Sequence, residues 1–386
     1  MIDRIVSVPE KGSYFLFGAR QTGKTTFVSS HYQLQSWTVS LLNQNEYAKY
    51  SRNPHQFYIE AVAKIESEGV QHIILDEVQK LPSLLDEVHS LLEKYAVQFV
   101  LLGSSARKLR RGSANLLAGR AVQRYLYPLT WSELKQVMGL EDILRFGTLP
   151  PVTEKSAEER TDFLRTYADT YLREEIQMEG LVRNMGGFYR FLDVAASQCG
   201  EMVNFSAVSR EAGIPQKTVE SYFQILEDTL IGIRIQPYYK SIRKRLVSHP
   251  RFYLFDTGVT NSINGRLTAN PDPKTAGRLF EQFIILEVYR HLQYGRSESR
   301  LYFWRTHRGL EVDFIIERHG EITGAYEIKN RQNIAPVDLK GLLAFHDEHP
   351  EVPLFVISRA SQRFKLGDVT ILPWQEFIES MLPEIQ

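Results

Sequence analysis

The sequence predicts an α/β multidomain chain, and three observations carry that prediction. A glycine-rich loop lies between an apolar run and the start of a helical pattern. A second apolar run ends in two adjacent carboxylates. Toward the C-terminus, acidic residues and a lysine recur at a spacing that places them on one face of a sheet. The expected order is a phosphate-binding-loop domain over 1–130 and a helical lid and linker over 131–200. A winged helix over 201–245 and a C-terminal α/β domain over 246–386 follow.

The first element is the strand Tyr14–Phe17, read from its unbroken apolar run. Gly18-Ala19-Arg20-Gln21-Thr22-Gly23-Lys24-Thr25 follows it and fits the phosphate-loop pattern G-x-x-x-x-G-K-[ST]. Thr25 and Thr26 open the next helix. Gly18 and Gly23 allow the backbone to wrap an anion, and the free N–H groups of the helix start point at phosphate oxygens. Lys24 is expected to reach the β- and γ-phosphates of ATP, and the Thr25 hydroxyl to ligate Mg²⁺.

A strand over 37–41 and a helix over 54–68 precede the run His72-Ile73-Ile74-Leu75-Asp76-Glu77. This reads as a buried parallel strand with its acids at the ligand-binding edge. Asp76 is expected in the Mg²⁺ shell, and Glu77 as the base that orients and deprotonates the attacking water. The next strand, Gln98–Gly103, ends in Ser104-Ser105, either of which suits contact with the γ-phosphate or the water. A last strand over 125–129 closes the domain.

The order of these three motifs resembles AAA+ ATPases. The strings Leu75-Asp76-Glu77-Val78-Gln79-Lys80-Leu81-Pro82, Leu102-Gly103-Ser104-Ser105 and Leu117-Ala118-Gly119-Arg120 are similar to one prokaryotic family in particular. Its members join an AAA+ domain to a C-terminal nuclease-like domain. The resemblance implies an arginine that completes the site, often from a neighbouring subunit. Arg120 best matches that place and Arg124 is the second candidate. It also implies an ATP-dependent oligomer, expected as a hexameric ring. Arg107, Lys108, Arg110 and Arg111 form a basic segment that either grips phosphates or is a solvated loop.

Helical patterning runs over 131–185 with a break at 147–151. One face of a helix over 161–178 carries Phe163, Leu164, Tyr167, Tyr171, Leu172 and Ile176. Phe205–Ala212, a turn at Gly213-Ile214-Pro215 and Gln216 to Glu227 have a helix–turn–helix layout, and residues 231–238 alternate as a wing strand. The second helix carries Lys217 but also Glu220, Glu227 and Asp228, a poor electrostatic match to phosphate, so packing and DNA reading are both open for it. Lys240, Arg243, Lys244, Arg245 and Arg251, interleaved with Tyr238, Tyr239 and Phe252, form the stronger DNA candidate.

The C-terminal third has a helix bearing Glu281, a strand over 301–305 and a partner strand bearing Asp313. A third strand ends in Glu327-Ile328-Lys329. The E…D…ExK pattern resembles the PD-(D/E)xK nuclease superfamily and is similar to archaeal Holliday-junction resolvases within it. Glu327 and Lys329 share a face, and Asp313 can meet them there. Carboxylates suit Mg²⁺, so Glu281, Asp313 and Glu327 are its candidate ligands, with Lys329 orienting water or neutralising charge. Whether such a domain cuts or only holds DNA stays open.

The chain has 386 residues, 46 basic and 46 acidic, so no global field draws it onto nucleic acid. Its single cysteine, Cys199, excludes an intrachain disulfide. No apolar run approaches the ~18 residues of a bilayer span, and Met1 to Gly12 lacks the apolar core of a signal peptide. No membrane contact and a cytoplasmic location are expected. The reading that unites these features is a Mg²⁺- and ATP-dependent AAA+ ATPase that remodels or translocates DNA, with four-way junctions preferred by analogy. The alternatives are a nucleotide-switch signalling or defence NTPase and a winged-helix regulator with an inert nuclease fold.

Overall fold

A computed structural model of the chain describes residues 2–105, 107, 109, 117–135, 137–172, 176, 184–239 and 249–385. Two compact units are present. One comprises Asp3–Pro128 with Ile225–Ile231, and the other Leu129–Gln224 with Gly232–Gln386 and Met1–Ile2.

The first unit is built on a five-stranded parallel sheet. Its strands are β1 (Ser13–Phe17), β2 (Ser36–Ser40), β3 (His72–Asp76), β4 (Gln98–Gly103) and β5 (Ala121–Tyr125), in the order β2-β3-β4-β1-β5. The inner strands read as unbroken apolar runs because both faces of the sheet are covered. Phe15, Phe17, Ile73, Leu75, Phe99 and Leu101 pack on Val88 and Leu91 of the helix Leu84–Lys94 and on Phe57 and Ala61 of the helix His55–Glu68. The helix Gln44–Arg52 left little trace in the sequence. It buries only Tyr50, and its start is marked by the Asn43 side chain accepting from the Asn45 N–H.

The closing strand lies earlier than 125–129. Parallel pairing sets Ser13–Phe17 against Ala121–Tyr125, so only Tyr125 belongs to it. Beyond that the chain is held by single bonds, Leu126 N–H to Phe17 O at 2.7 Å, and Pro128 has no N–H to continue the ladder.

The second unit carries an eight-stranded mixed sheet. Its strands are β6 (Gly232–Pro237), β7 (Arg251–Leu254), β8 (Arg300–Arg305), β9 (Glu311–Arg318), β10 (Glu321–Lys329), β11 (Leu354–Ser358), β12 (Phe364–Leu366) and β13 (Val369–Pro373). The order is β12-β13-β11-β10-β9-β8-β6-β7. β8, β9 and β10 form an antiparallel meander, and β10 continues in parallel to β11 and β13. The long helix Pro273–Tyr294 bears Glu281. Asp272 caps it by accepting from Lys274 and Thr275, and Pro273 occupies the first position, where no N–H is needed.

The helices Phe205–Ala212 and Gln216–Asp228 meet at Gly213, whose φ of 65° requires glycine-like freedom. The antiparallel pair β6 and β7 follows them. β6 also pairs with β8, so the expected wing strand lies in the same sheet as the meander. The expected helix over 161–178 begins as Ala157–Thr166 and passes into a π-helical turn at Tyr167–Tyr171. Leu164, Tyr167, Leu172 and Ile176 of its apolar face are buried. Among the described residues no helix is long and apolar enough to cross a membrane.

Candidate functional site

The phosphate loop links β1 to the helix Lys24–His31, as its residues required. A Cβ on Gly18 would stand 2.4 Å from Leu126 O and 2.8 Å from the Thr22 hydroxyl, so only glycine fits. Gly23 turns the chain into the helix at φ 89°. Thr22 closes the loop by donating to Ala19 O at 2.9 Å, and Gln21 takes a left-handed φ of 64°. Arg4 braces the outside, donating to Thr22 O at 2.9 Å and Tyr127 O at 2.6 Å. No sequence motif includes Arg4. Lys24 is buried and donates to Gly18 O at 2.7 Å and Ala19 O at 3.1 Å. Its ammonium thus rests on the cradle that phosphate oxygens would enter.

Asp76 ends β3 beside this loop and accepts from the Thr25 hydroxyl at 3.3 Å. Burial raises its pKa, with help from Glu77, against the lowering pull of Lys24 and Thr25. A hydroxyl and a carboxylate side by side are hard oxygen donors, so this pair fits Mg²⁺. Glu77 lies one residue past the strand with a left-handed φ of 60°. For a non-glycine residue that costs on the order of 1 kcal/mol or more, a strain characteristic of functional sites. Gln79, from the short turn Val78–Lys80, donates to Glu77 Oε2 at 2.5 Å and to Ser104 Oγ at 3.0 Å. Ser104 therefore joins the acid, whereas Ser105 Oγ accepts from Arg107 N at 3.1 Å and caps the next segment. In the sequence Gln79 is visible only within the string Leu75–Pro82. Its two-residue spacing from Glu77 was the available signal.

Arg120 lies on the surface, donating to Glu93 at 3.1 Å and lying 3.2 Å from His89 Nε2. Arg124 donates to Ser7 O at 3.2 Å and Gln123 O at 2.9 Å. Arg107 pairs with Asp228 at 2.7 Å. Lys108, Arg110 and Arg111 lie outside the described residues, as do Lys240, Arg243, Lys244 and Arg245.

In the second unit, β9 and β10 bring Asp313 to Glu327 and Lys329. Asp313 is one step beyond the Phe314↔Tyr326 pair and accepts from the Ile328 N–H at 2.8 Å. Lys329 donates to Glu327 Oε1 at 2.5 Å. The other oxygen, Glu327 Oε2, is buried with no hydrogen-bond partner among the described residues. Tyr253 donates to Glu281 at 2.7 Å. Arg251 then enters the group. Its guanidinium lies 3.4 Å from Glu281, 3.4 Å from Asp313 and 2.9 Å from Glu311. Burial and the Asp313 charge raise the Glu281 pKa against the pull of Arg251. Burial and Asp313 likewise raise Glu327 against Lys329.

The expectation that Arg251 and Phe252 face DNA is corrected by this arrangement. Arg251 is 4% and Phe252 1% exposed. On β7, Arg251 and Tyr253 point to the carboxylates, while Phe252 packs on Phe223 at 4.9 Å between centroids. A divalent ion would find few free donors in this cluster. Asp313 and Glu281 have oxygens committed to protein donors, and no three His, Cys, Asp or Glu side chains among the described residues form a metal-binding group. As placed, these residues do not fit the ion.

Comparison with known proteins bears on each segment. Residues 10–135 match an AAA domain, residues 138–270 a domain of unknown function (DUF8612) and residues 276–377 another (DUF4143). The N-terminal unit is thus a P-loop ATPase domain of the AAA type. Uncharacterized proteins of Mycobacterium tuberculosis and Mycobacterium bovis are each 25% identical over 304 residues, covering 78% of this chain and 67% of theirs. One from Haemophilus influenzae is 22% identical over 270 residues, covering 65% of this chain and 64% of its own. The chain thus spans about two thirds of the length of these relatives. The solved structure of the Aeropyrum pernix ORC1 protein in complex with DNA aligns with 67% of this chain and 87% of that chain. It does so at 13% identity with a TM-score of 0.28, too low to carry an argument.

Proposed function

We propose that the chain is an ATP-hydrolysing AAA+ protein that uses nucleotide turnover to act on DNA. The observation that carries the ATPase reading is the convergence of Lys24, Thr25, Asp76, Glu77 and Ser104 at the C-terminal edge of one parallel sheet. Lys24 exchanges its two carbonyl partners for β- and γ-phosphate oxygens. Thr25 and Asp76 would hold Mg²⁺, which would offset the phosphate charge when bound. Glu77 takes the proton of the attacking water as the new P–O bond forms. The bond to the β-phosphate oxygen breaks, ADP departs, and Glu77 returns its proton to solvent. Arg120 completes the site of a neighbouring copy in a ring-shaped oligomer. Its surface position and exposed ion pair are compatible with that transfer.

DNA action is the finer part of the proposal. The order of helix, turn, helix and antiparallel pair supports a winged helix, and Lys217 lies exposed on its second helix. The strand and helix placement of Glu281, Asp313, Glu327 and Lys329 supports a nuclease-like domain. Its preference for branched DNA rests on fold analogy. The alternative is a slow nucleotide switch, favoured by the bond through which Gln79 restrains Glu77.

ATP hydrolysis with no DNA, duplex, single strand and a four-way junction separates the two, with DNA unwinding and cutting scored together. Stimulation by DNA, lost in Lys24→Ala, supports the DNA-acting reading. Turnover indifferent to every DNA overturns it in favour of the switch.

A further inference from the structure

We propose that Arg251 is the resident cation of the C-terminal carboxylate cluster and excludes divalent metal from it. Three acids converge on its guanidinium: Glu281 from the Pro273–Tyr294 helix, and Glu311 and Asp313 from β9. The side chain is almost wholly buried, and the guanidinium carbon stacks 4.9 Å from the Phe303 ring centroid. A buried arginine held on three carboxylates and an aromatic face is part of the fold rather than a passing surface contact.

β7 supplies this cation together with a second stopper. Arg251 and Tyr253 alternate onto one face, and both reach Glu281 Oε1. Arg251 is fixed along the strand by pairing with Ile235 and by a bridge to Met202. Lys329 neutralises Glu327 in the same way. A divalent ion needs about six oxygen donors. Here Glu281 Oε1, both Asp313 oxygens and Glu327 Oε1 already serve Arg251, Tyr253, Lys329 and the Ile328 N–H. Glu327 Oε2 is buried with no hydrogen-bond partner among the described residues. Withdrawal of Arg251 would free Asp313 Oδ1 and leave Glu281 Oε1 with Tyr253 alone. Metal entry requires the withdrawal of Arg251, and any nuclease chemistry of this domain is off while Arg251 stays in place.

The inference concerns cation occupancy and survives failure of the DNA reading. Its test is Mn²⁺ binding to the full chain without nucleotide, followed by calorimetry and by the electron paramagnetic resonance of free Mn²⁺. Wild type is expected to show no Mn²⁺ binding that Asp313→Asn removes. Arg251→Ala is expected to gain one Asp313-dependent Mn²⁺ site per chain, since a unit positive charge within a few ångströms has been removed. Adding Asp313→Asn to that variant should abolish the gain. Should Arg251→Ala fail to fold, Arg251→Lys retains charge but cannot span three acids, and it should gain a weaker site. Asp313-dependent binding in wild type, or no gain in a folded Arg251 variant, overturns the proposal.

Discussion

The side-chain amide of Gln79 donates to Glu77 at 2.5 Å and to Ser104 at 3.0 Å, so one buried group joins the end of β3 to the end of β4. Gly103 makes room for it, because a Cβ there would meet Gln79 Oε1 at 2.7 Å. Gln79 thus positions the proposed base. Gln79→Leu is expected to lower kcat about tenfold while ATP affinity stays within about twofold. Steady-state kinetics with a separate nucleotide-binding measurement checks this, and a loss confined to KM would assign Gln79 a binding role instead.

The phosphate loop has no space at Gly18. Gly18→Ala forces its new methyl against Leu126 O and Thr22 Oγ1. Overpacking of this kind costs about 1–3 kcal/mol, so the melting temperature should fall and ATP binding should be lost with it. Ala19, whose side chain is buried but whose carbonyl rather than Cβ serves the loop, is the matched control for substitution to Ser.

Arg120 offers a test of assembly. If it serves a neighbouring active site, Arg120→Ala should reduce kcat by about a thousandfold with ATP binding retained. Mixing it with inactive Lys24→Ala chains should then restore part of the turnover. A rate within about twofold of wild type would leave Arg120 as the partner of Glu93 and His89 alone.

Glu287 gives the second unit a pH dependence. It accepts from the Trp131 N–H at 3.1 Å and lies 3.5 Å from Arg290, with His291 and Glu133 nearby. Burial pushes its pKa up to about 7 from the ordinary 4.5, against the pull of Arg290. Between those values the folded chain holds a proton that the unfolded chain has released. The contribution is therefore full below about pH 4.5 and is lost as pH rises through about 7, on the order of 3 kcal/mol. Glu287→Gln should flatten the fall in melting temperature between about pH 5 and about pH 8. Glu281 and Glu327, raised in the same direction, leave a residual slope of the same sign.

Local chemistry was legible in the sequence and long-range chemistry was not. The phosphate loop, the acid-ended β3 and the helix–turn–helix each announce themselves within a few residues, through glycine placement or an unbroken apolar run. The E…D…ExK spacing likewise put Asp313, Glu327 and Lys329 on neighbouring strands. Arg251 misled, because an arginine followed by an aromatic residue looks like a surface patch until Glu281 and Asp313 fold onto it. The early β5 went unread because Ala121–Tyr125 is half-exposed and carries Gln123 and Arg124, so its apolar signal is weak. β12 and β13 lay beyond the last motif, and nothing chemical drew attention to them.

Glu77 is the proposed hydrolytic base on which ATP turnover depends. The decisive measurement is ATP binding and single-turnover hydrolysis by wild type and Glu77→Gln in the same assay. The amide keeps the shape of the side chain and removes the proton acceptor, so binding should persist while hydrolysis falls by about a hundredfold or more. Hydrolysis by Glu77→Gln at the wild-type rate would contradict the site as built here.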